Sequence, residues 1–119
     1  METNLFQKGE KFIMNDYCMI ECAFDNKVEL SKVENELLDK KLIAGCHVIE
    51  SKSSWNWKNK REKSIEYLLQ MQTKKCHSKK IFKVIKTIHS YECFEFAIYD
   101  ISSINNEYLK WIDKETKNN

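Results

Sequence analysis

The fold is decided by a strand and a helix in residues 17–42, which read YCMIECAFDNKVELSKVENELLDKKL. The opening apolar run, Tyr17 to Phe24, has the length and character of a buried β-strand. Asn26 follows, and Glu29 three residues later completes the spacing of a capping box at a helix start. Apolar residues then recur at helical spacing, at Leu30, Val33, Leu37, Leu38 and Leu42. The stretch therefore predicts a strand followed by an amphipathic helix.

The rest of the chain continues this alternation of strands and helices. Further strands are predicted at Ala44 to Ile49, from about Ser64 to Thr73, and at Phe94 to Ile101. Ser78 can cap a second helix, whose apolar stripe is Ile81, Val84, Ile85 and Ile88. The order βαββαβ predicts an α+β fold, a ferredoxin-like split βαββαβ sandwich with both main helices on one face of the sheet. An additional C-terminal helix is predicted over residues 105–116.

The segment SKSSWNWKNKREKS, residues 51–64, predicts a projecting hairpin. Alternation places Ser53, Trp55 and Trp57 on one face, and Asn59 suits the left-handed backbone of a tight turn. Each indole could bury about 150–250 Å². One subunit of this size can scarcely cover such a hairpin, so we expect burial against a second copy, with a ligand cage or RNA stacking as the alternatives.

The composition limits the class of protein. The 119 residues suffice for one compact domain, and we expect residues 1–15 to be a flexible lead, 16–116 the domain and 117–119 a tail. Two glycines and no proline exclude glycine-rich phosphate loops and dinucleotide fingerprints. A net charge of +2 argues against a nucleic-acid partner.

The sequence also indicates whether the chain spans a membrane and in which cellular compartment it lies. No run of about eighteen apolar residues occurs, so we expect no membrane span, and the N-terminal stretch lacks the features of a secretion signal. The five cysteines show neither CxxC nor zinc-finger spacing, which indicates free thiols in a reducing compartment. We therefore expect a cytoplasmic protein.

Two carboxylates stand out on the predicted strands. Alternation turns Glu21 in the first strand and Glu66 in the third away from the helices, onto one shared face. The first and third strands are neighbours in the split order, so the two acids could share a proton or a cation. His89 ends the second helix and is followed by further polar groups, Tyr91, Glu92 and Glu95.

Four ordered motifs carry a resemblance to a known family. Ile43 to Cys46 matches a typical L-A-A-C, Ser53 to Lys60 matches S-x-Y-x-W-x-G-K, His89 to Glu95 matches H-P-Y-E-x-P-E, and Tyr108 to Ile112 matches Y-L-x-W-I. The chain thus resembles the CutA divalent-cation tolerance proteins over most of its length. It departs from their pattern at Ser90 and Phe94, which replace the signature prolines, at Asn59, which replaces a glycine, and at Gln72, which replaces a lysine.

The resemblance implies a tight homotrimer with edge strands pairing between subunits, a role in metal-ion response and no established catalysis. It requires no cofactor, although Cu(II) or another divalent cation could bind. The copper contacts proposed in some members correspond here to Glu21, Glu66 and Ile88, with His89 adjacent to the last. The expected metal ligands are therefore Glu21, Glu66 and His89, and the alternative is a solvated polar channel in the trimer.

A set of further residues is expected to form a subunit interface or a pocket for a small ligand or a client protein: Ser53, Trp55, Trp57, Thr73, Tyr91, Glu92, Glu95 and Trp111. Two other functions are an RNA-binding sheet and a PII-like sensor. A sheet-based RNA binder needs a glycine- and aromatic-containing third strand, which SIEYLLQMQT lacks. A trimeric PII-like sensor of a small molecule or nucleotide needs a long mobile loop and basic groups, and the hairpin offers only the basic groups.

Overall fold

The computed structural model describes residues 16–118, so the predicted lead over residues 1–15 lies outside the described residues. The seven main elements confirm the predicted order with its C-terminal helix. They are β1 (Tyr17–Phe24), α1 (Lys27–Asp39), β2 (His47–Trp57), β3 (Lys60–Lys74), α2 (Ser78–Ile88), β4 (Ala97–Asp100) and α3 (Asn106–Glu115). None of the helices in the described part combines the length and apolar character that crossing a bilayer requires.

The strands form one antiparallel sheet in the order β2-β3-β1-β4. β1 and β3 are central neighbours, as predicted, and Glu21 lies opposite Gln70 in their register. Alternate residues of β1 are fully buried, and they share one core with the apolar residues of α1 and α2. Both helices therefore cover the same face. The core residues of β1 are Cys18, Ile20, Cys22 and Phe24.

Three strands differ from their predicted limits. β3 begins at Lys60 rather than at about Ser64 and ends at Lys74. β2 begins at His47 rather than Ala44, because the preceding Leu42 and Ile43 are buried in the core and the Leu42 carbonyl accepts a bond from Thr73 Oγ1 at 2.6 Å. β4 is four residues long rather than eight. The side chains before it pack inward, and the ring of Phe94 stacks on His89 with centroids 4.8 Å apart.

The hairpin of β2 and β3 extends beyond the rest of the sheet. Within β3, only Tyr67–Lys74 pair with β1, so Lys60–Glu66 have β2 as their sole strand neighbour among the described residues. Two residues close the turn, Lys58 with φ 51° and Asn59 with φ 68°, which is the left-handed conformation expected of Asn59. Positive φ at both positions is typical of type I′ hairpin turns. The chain is accordingly elongated, at 54 × 35 × 19 Å.

The third helix packs on the sheet face opposite α1 and α2. Tyr17 and Gln72 point to that face by alternation, and each bonds to α3. The Tyr17 hydroxyl donates to Asp113 Oδ1 at 2.6 Å, and the Tyr108 hydroxyl donates to Gln72 Oε1 at 3.4 Å. The predicted tail is anchored where it is described: the Lys117 carbonyl accepts from His77 Nε2 at 2.8 Å.

Candidate functional site

His89 is buried and holds the end of β1 against the loop that follows α2. Its Nε2 donates to the carbonyl oxygen of Ala23 at 2.7 Å, and its Nδ1 accepts from the backbone N–H of Tyr91 at 3.2 Å. A carbonyl can only accept, so these two bonds define the tautomer. The ring stacks between Phe24 and Phe94, with centroids 4.3 and 4.8 Å away. Both nitrogens are therefore engaged within the fold.

Tyr91 carries the polar contact from this loop to the third strand. Its hydroxyl donates to Glu66 Oε2 at 2.7 Å, and Glu66 is buried, with 8% of its surface exposed. Burial, together with the hydrogen bond to this carboxylate, raises the pKa of Tyr91 above its ordinary value. The phenol therefore stays protonated and remains a donor to Glu66.

Glu21 and Glu95 form a second contact on the same side of the sheet. Gln70 Nε2 donates to Glu21 Oε1 at 2.8 Å. The pKa of Glu95 is raised by burial first, and then by the charge of Glu21, by a hydrogen bond to it and by the charge of Glu66. Two carboxyl groups in contact repel each other when both are ionised, so a proton on Glu95 stabilises the contact. We call Glu21, Glu66, Gln70 and Glu95 the acid face.

The predicted metal ligands are thus only partly brought together. Glu21 and Glu66 lie on one face, as alternation indicated, and Glu95 joins them. His89 does not, because both of its nitrogens are committed to backbone groups and its side chain is fully buried. Within residues 16–118 no three His, Cys, Asp or Glu side chains are arranged to hold a metal ion. The structure therefore brings together Glu21 and Glu66 but does not place His89 beside them.

The donors that remain suit a particular class of cation. Carboxylate and amide oxygens are hard ligands, which bind hydrated cations such as Mg²⁺ through one or two contacts. Copper(II) favours imidazole nitrogen, and the acid face contains none. The residues present do not fit a copper centre built around His89, and they do fit weak, water-assisted binding by carboxylates.

Several predicted interface residues lie beside the hairpin. Ser53 Oγ is 3.1 Å from Ser51 Oγ, and Ser51 lies opposite Glu66 in the strand register. Trp55 and Trp57 continue that face, with Trp55 partly buried and Trp57 37% exposed. The hairpin face is therefore continuous with the acid face.

The signature loop reaches the hairpin turn through Glu92. Its Oε1 lies 3.9 Å from Lys58 Nζ, with both side chains largely exposed. Such a surface pair contributes little to stability, but it places Glu92 next to the turn. Of the signature residues, Glu95 belongs to the acid face, Tyr91 contacts it through Glu66, and Glu92 contacts the turn.

Two residues of the predicted interface set lie elsewhere. Thr73 is fully buried and lies opposite Cys18, on the side of the helices, so it belongs to the core. Trp111 lies on α3 and packs against Gly45: a Cβ atom added to this glycine would lie 3.2 Å from Trp111 Cη2. The centroid of the Trp111 ring lies 5.3 Å from that of Tyr108. Neither contacts the acid face directly.

The contact of Glu95 with Glu21 was missed from the sequence, although a signal for it existed. β4 is the other neighbour of β1 in a split βαβ sheet, and Ala97 lies opposite Glu21. Glu95 precedes Ala97 by two residues and so projects to the same face. Pairing the first and last strands, as well as the first and third, would have placed three acids together.

Known proteins resemble this chain in sequence over most of the described residues. Residues 18–115 match the family described as CutA1 divalent ion tolerance protein. The divalent-cation tolerance protein CutA of Thermococcus kodakarensis is 31% identical over 68% of this chain and 78% of its own. The CutA homolog of Xenopus laevis is 30% identical over 73% of this chain and 58% of its own.

Solved structures agree with the sequence matches. CutA1 from Pyrococcus horikoshii superposes with a TM-score of 0.79 at 26% identity, covering 84% of this chain and 98% of its own. A protein from Archaeoglobus fulgidus, described as a periplasmic divalent cation tolerance protein CutA, gives a TM-score of 0.81 at 25% identity, over 85% and 99%. The signature motifs, the sheet order and these matches agree, and the chain belongs to the CutA1 divalent ion tolerance family.

Proposed function

We propose that this protein is a homotrimer that takes part in the response to divalent cations and catalyses no reaction. Family membership supports the link to cations. The observation that carries the assembly is the pair of open edges, β2 and β4, at the two sides of the sheet. Large apolar side chains are exposed along both, at Val48 and Ile49 on β2 and at Ile98 and Tyr99 on β4, each between 42% and 46%.

A ring of three copies would satisfy these edges. Head-to-tail pairing of the β2 edge of one subunit with the β4 edge of the next closes after three rotations and leaves no edge free. The shape of the chain supports this arrangement. Its radius of gyration is 16.1 Å, whereas a compact domain of this size has about 13 Å, because the hairpin projects away from the core.

Light scattering on a sizing column tests the assembly. We expect a mass of three times the 14.3 kDa of the chain. Ile49→Lys places a charge on the β2 edge and should lower the mass. Val28→Lys is the matched control, since Val28 is 64% exposed on α1, away from both edges, and it should leave the mass unchanged. A wild-type monomer would refute the assembly.

We further propose that divalent cations, Cu(II) among them, bind weakly at the acid face through the carboxylates of Glu21 and Glu66. Calorimetric titration with a copper(II) salt, and separately with a magnesium salt, tests this. Glu21→Gln combined with Glu66→Gln should weaken binding by at least about tenfold, since each substitution removes a ligand charge. Glu50→Gln combined with Glu107→Gln, two exposed acids elsewhere, should not. Equal affinity in both double variants would remove the acid face from the site.

The PII-like alternative finds no support in the hairpin. Such a sensor needs a long mobile loop, and here Lys58 and Asn59 alone connect β2 to β3. Arg61 is also engaged, with its Nε donating to Asn56 Oδ1 at 2.7 Å. The small ligand or client protein, and the absence of nucleic-acid and membrane partners, stay predictions.

We place the protein in the cytoplasm. The support is that all five cysteines lie within the described residues and are free, which is typical of a reducing compartment. The Archaeoglobus fulgidus relative carries the word periplasmic in its description, so location can differ within the family. Fractionation of cells that express the protein would test this.

A further inference from the structure

The residues that follow α3 are fastened to two other parts of the same chain. The Lys117 N–H donates to the carbonyl oxygen of Lys41, which lies just beyond α1, at 2.9 Å. The Lys117 carbonyl accepts from His77 Nε2 at 2.8 Å and from Lys74 Nζ at 3.1 Å. We call Lys117 and Asn118 the strap, because they join the end of α1 to the connection between β3 and α2.

His77 is the titratable group beneath the strap. It lies in a single turn of 3-10 helix, Lys75–His77, and it is fully buried. Because the Lys117 carbonyl can only accept, Nε2 carries the proton of the neutral ring. A second proton would bind at Nδ1, which faces Cys76 Sγ at 3.8 Å, and a thiol sulfur is a weak acceptor. The imidazolium ion would therefore have a buried N–H without a strong partner.

The charges around His77 also disfavour the imidazolium ion. The groups that act on the ring are Lys74 on β3, Lys117 on the strap and Lys80 on α2, and all three are cationic. His77 is, in addition, the N-cap of α2, where the positive end of the helix dipole disfavours a cation. Burial first, and then the three lysines, lower the pKa of His77, against an opposing contribution from its hydrogen bond to Lys117.

We propose that the strap is a pH-sensitive device: protonation of His77 releases Lys117 and Asn118 while the sheet and the three helices stay in place. Release admits water to the ring and moves the Lys117 ammonium group away from it, so the charged ring is more stable beneath an open strap. Both strap residues are exposed. Opening ends at Thr116, whose N–H and Oγ1 remain bonded to the Ile112 carbonyl.

The direction of the pH dependence follows from the two states of the ring. A closed strap keeps His77 neutral, whereas an open strap restores its ordinary pKa of about 6.5. The closed form therefore has its full stability above that pH and loses stability as the pH falls below it. The ratio of closed to open forms should fall by up to about tenfold for each pH unit, until the pH reaches the lowered pKa of the closed form.

Hydrogen exchange at the Lys117 amide, followed by NMR, tests the proposal. This amide is protected by the Lys41 carbonyl, and its protection, corrected for the intrinsic exchange rate, should fall at least about fivefold between about pH 7.5 and about pH 5. His77→Gln keeps a neutral N–H donor in place of Nε2, so its protection should be equal at both pH values. His47→Gln removes an exposed imidazole from β2 and should behave as the wild type does.

The amides of β1 serve as the reference, because they should keep their protection while the strap opens. Equal protection of the Lys117 amide at both pH values in the wild type would overturn the proposal. So would a fall of the same size in His77→Gln, or a parallel fall in β1, which would mean that the whole domain unfolds. If His77→Gln does not fold, the wild type still decides. Its His77 ring resonances and the Lys117 exchange rate must change over the same pH interval, and separate intervals would refute the link.

Discussion

Glu95 determines how the acid face responds to pH. It contacts Glu21 and lies near Glu66, so its ionisation places a negative charge beside two other acidic side chains. Burial and repulsion both favour its protonated form in the folded chain. A proton at this point relieves that repulsion, so the cation binding proposed for this face would be accompanied by proton release. The carboxyl groups thus give the face a pH dependence that an isolated surface acid would lack.

Replacement of Glu95 by glutamine should stabilise the protein at neutral pH. The pKa of Glu95 is raised on folding, so the stability it contributes is present below its ordinary pKa and is lost as pH rises through the folded value. Glu95→Gln should therefore match the wild type near pH 4 and exceed it at pH 7. Because the residue is exposed to solvent, screening limits the gain to about 0.5 kcal/mol.

Chemical denaturation across this pH range measures the effect. Glu92→Gln is the control, because Glu92 lies in the same loop but is largely exposed and forms a surface pair with Lys58. Its difference from the wild type should not grow with pH. If Glu95→Gln gains nothing at pH 7 relative to pH 4, the contact between Glu95 and Glu21 is not present in solution.

Ser90 shows what one departure from the family pattern does. The family has proline here, which has no backbone N–H. In this chain the N–H of Ser90 donates to Glu29 Oε1 at 3.0 Å, which ties α1 to the loop after α2. The same glutamate was predicted to complete a capping box, and its carboxylate instead makes this long-range bond. The serine therefore gives this protein a connection that the family proline cannot make.

Ser90→Pro tests that connection. The preceding residue, His89, has φ −67° and ψ 132°, a conformation that proline tolerates next to it. Loss of the charge-assisted bond should lower the free energy of unfolding by about 1 kcal/mol, after allowance for the stiffer unfolded chain. Ser90→Ala keeps the N–H and should stay within about 0.5 kcal/mol of the wild type. Equal stability of the two variants would argue against the bond.

At the scale of elements, the hairpin turn is the place where the sequence is least suited to the backbone. Both Lys58 and Asn59 have positive φ, and lysine is unfavourable in that region. The change to Asn-Gly, through Lys58→Asn and Asn59→Gly, supplies the preferred residues of a type I′ turn. We expect it to raise the free energy of unfolding by about 1 kcal/mol, since the lost surface pair with Glu92 contributes less than that.

Thermal unfolding followed by circular dichroism measures the effect of the turn. Asn59→Val provides the opposite change, because a β-branched residue rarely adopts positive φ, and it should cost about 1 kcal/mol or more. If both variants melt with the wild type, the hairpin does not hold this turn in solution.

The elements that the sequence predicted well are those governed by local signals. β1 spans Tyr17–Phe24 as expected, because an apolar run ends at polar residues that cannot continue it. Asn26 caps α1 as expected, and its side chain accepts from the N–H groups of Val28 and Glu29. His89 could not be placed in the same way, since its orientation depends on the Ala23 carbonyl and on rings distant in sequence. Long-range packing, rather than periodicity, decided which candidate ligands remained available.

At the scale of the whole molecule, one chain leaves substantial apolar surface uncovered. Trp57 and Ile65 lie on opposite faces of the hairpin and are 37% and 40% exposed. Within residues 16–118, β2 and β3 pair only with each other at this end of the sheet. Alternation places Ile65 on the face that the helices cover, but β1 ends its pairing at Tyr67, so Ile65 projects beyond the core. A neighbouring subunit of the proposed trimer would supply apolar contacts for both side chains.

If folding and assembly are coupled in this way, thermal stability must depend on protein concentration. A trimer that dissociates as it unfolds is stabilised by mass action, so an increase from about 1 μM to about 100 μM should raise the melting temperature by several degrees. Trp57→Ser should reduce the melting temperature at every concentration, because the indole would no longer be covered by the neighbour. Val28→Ser is the control for loss of an exposed apolar side chain, since Val28 lies on α1. Superimposable melting curves across that range would show that each chain folds alone, and the hairpin would then be exposed in the native state.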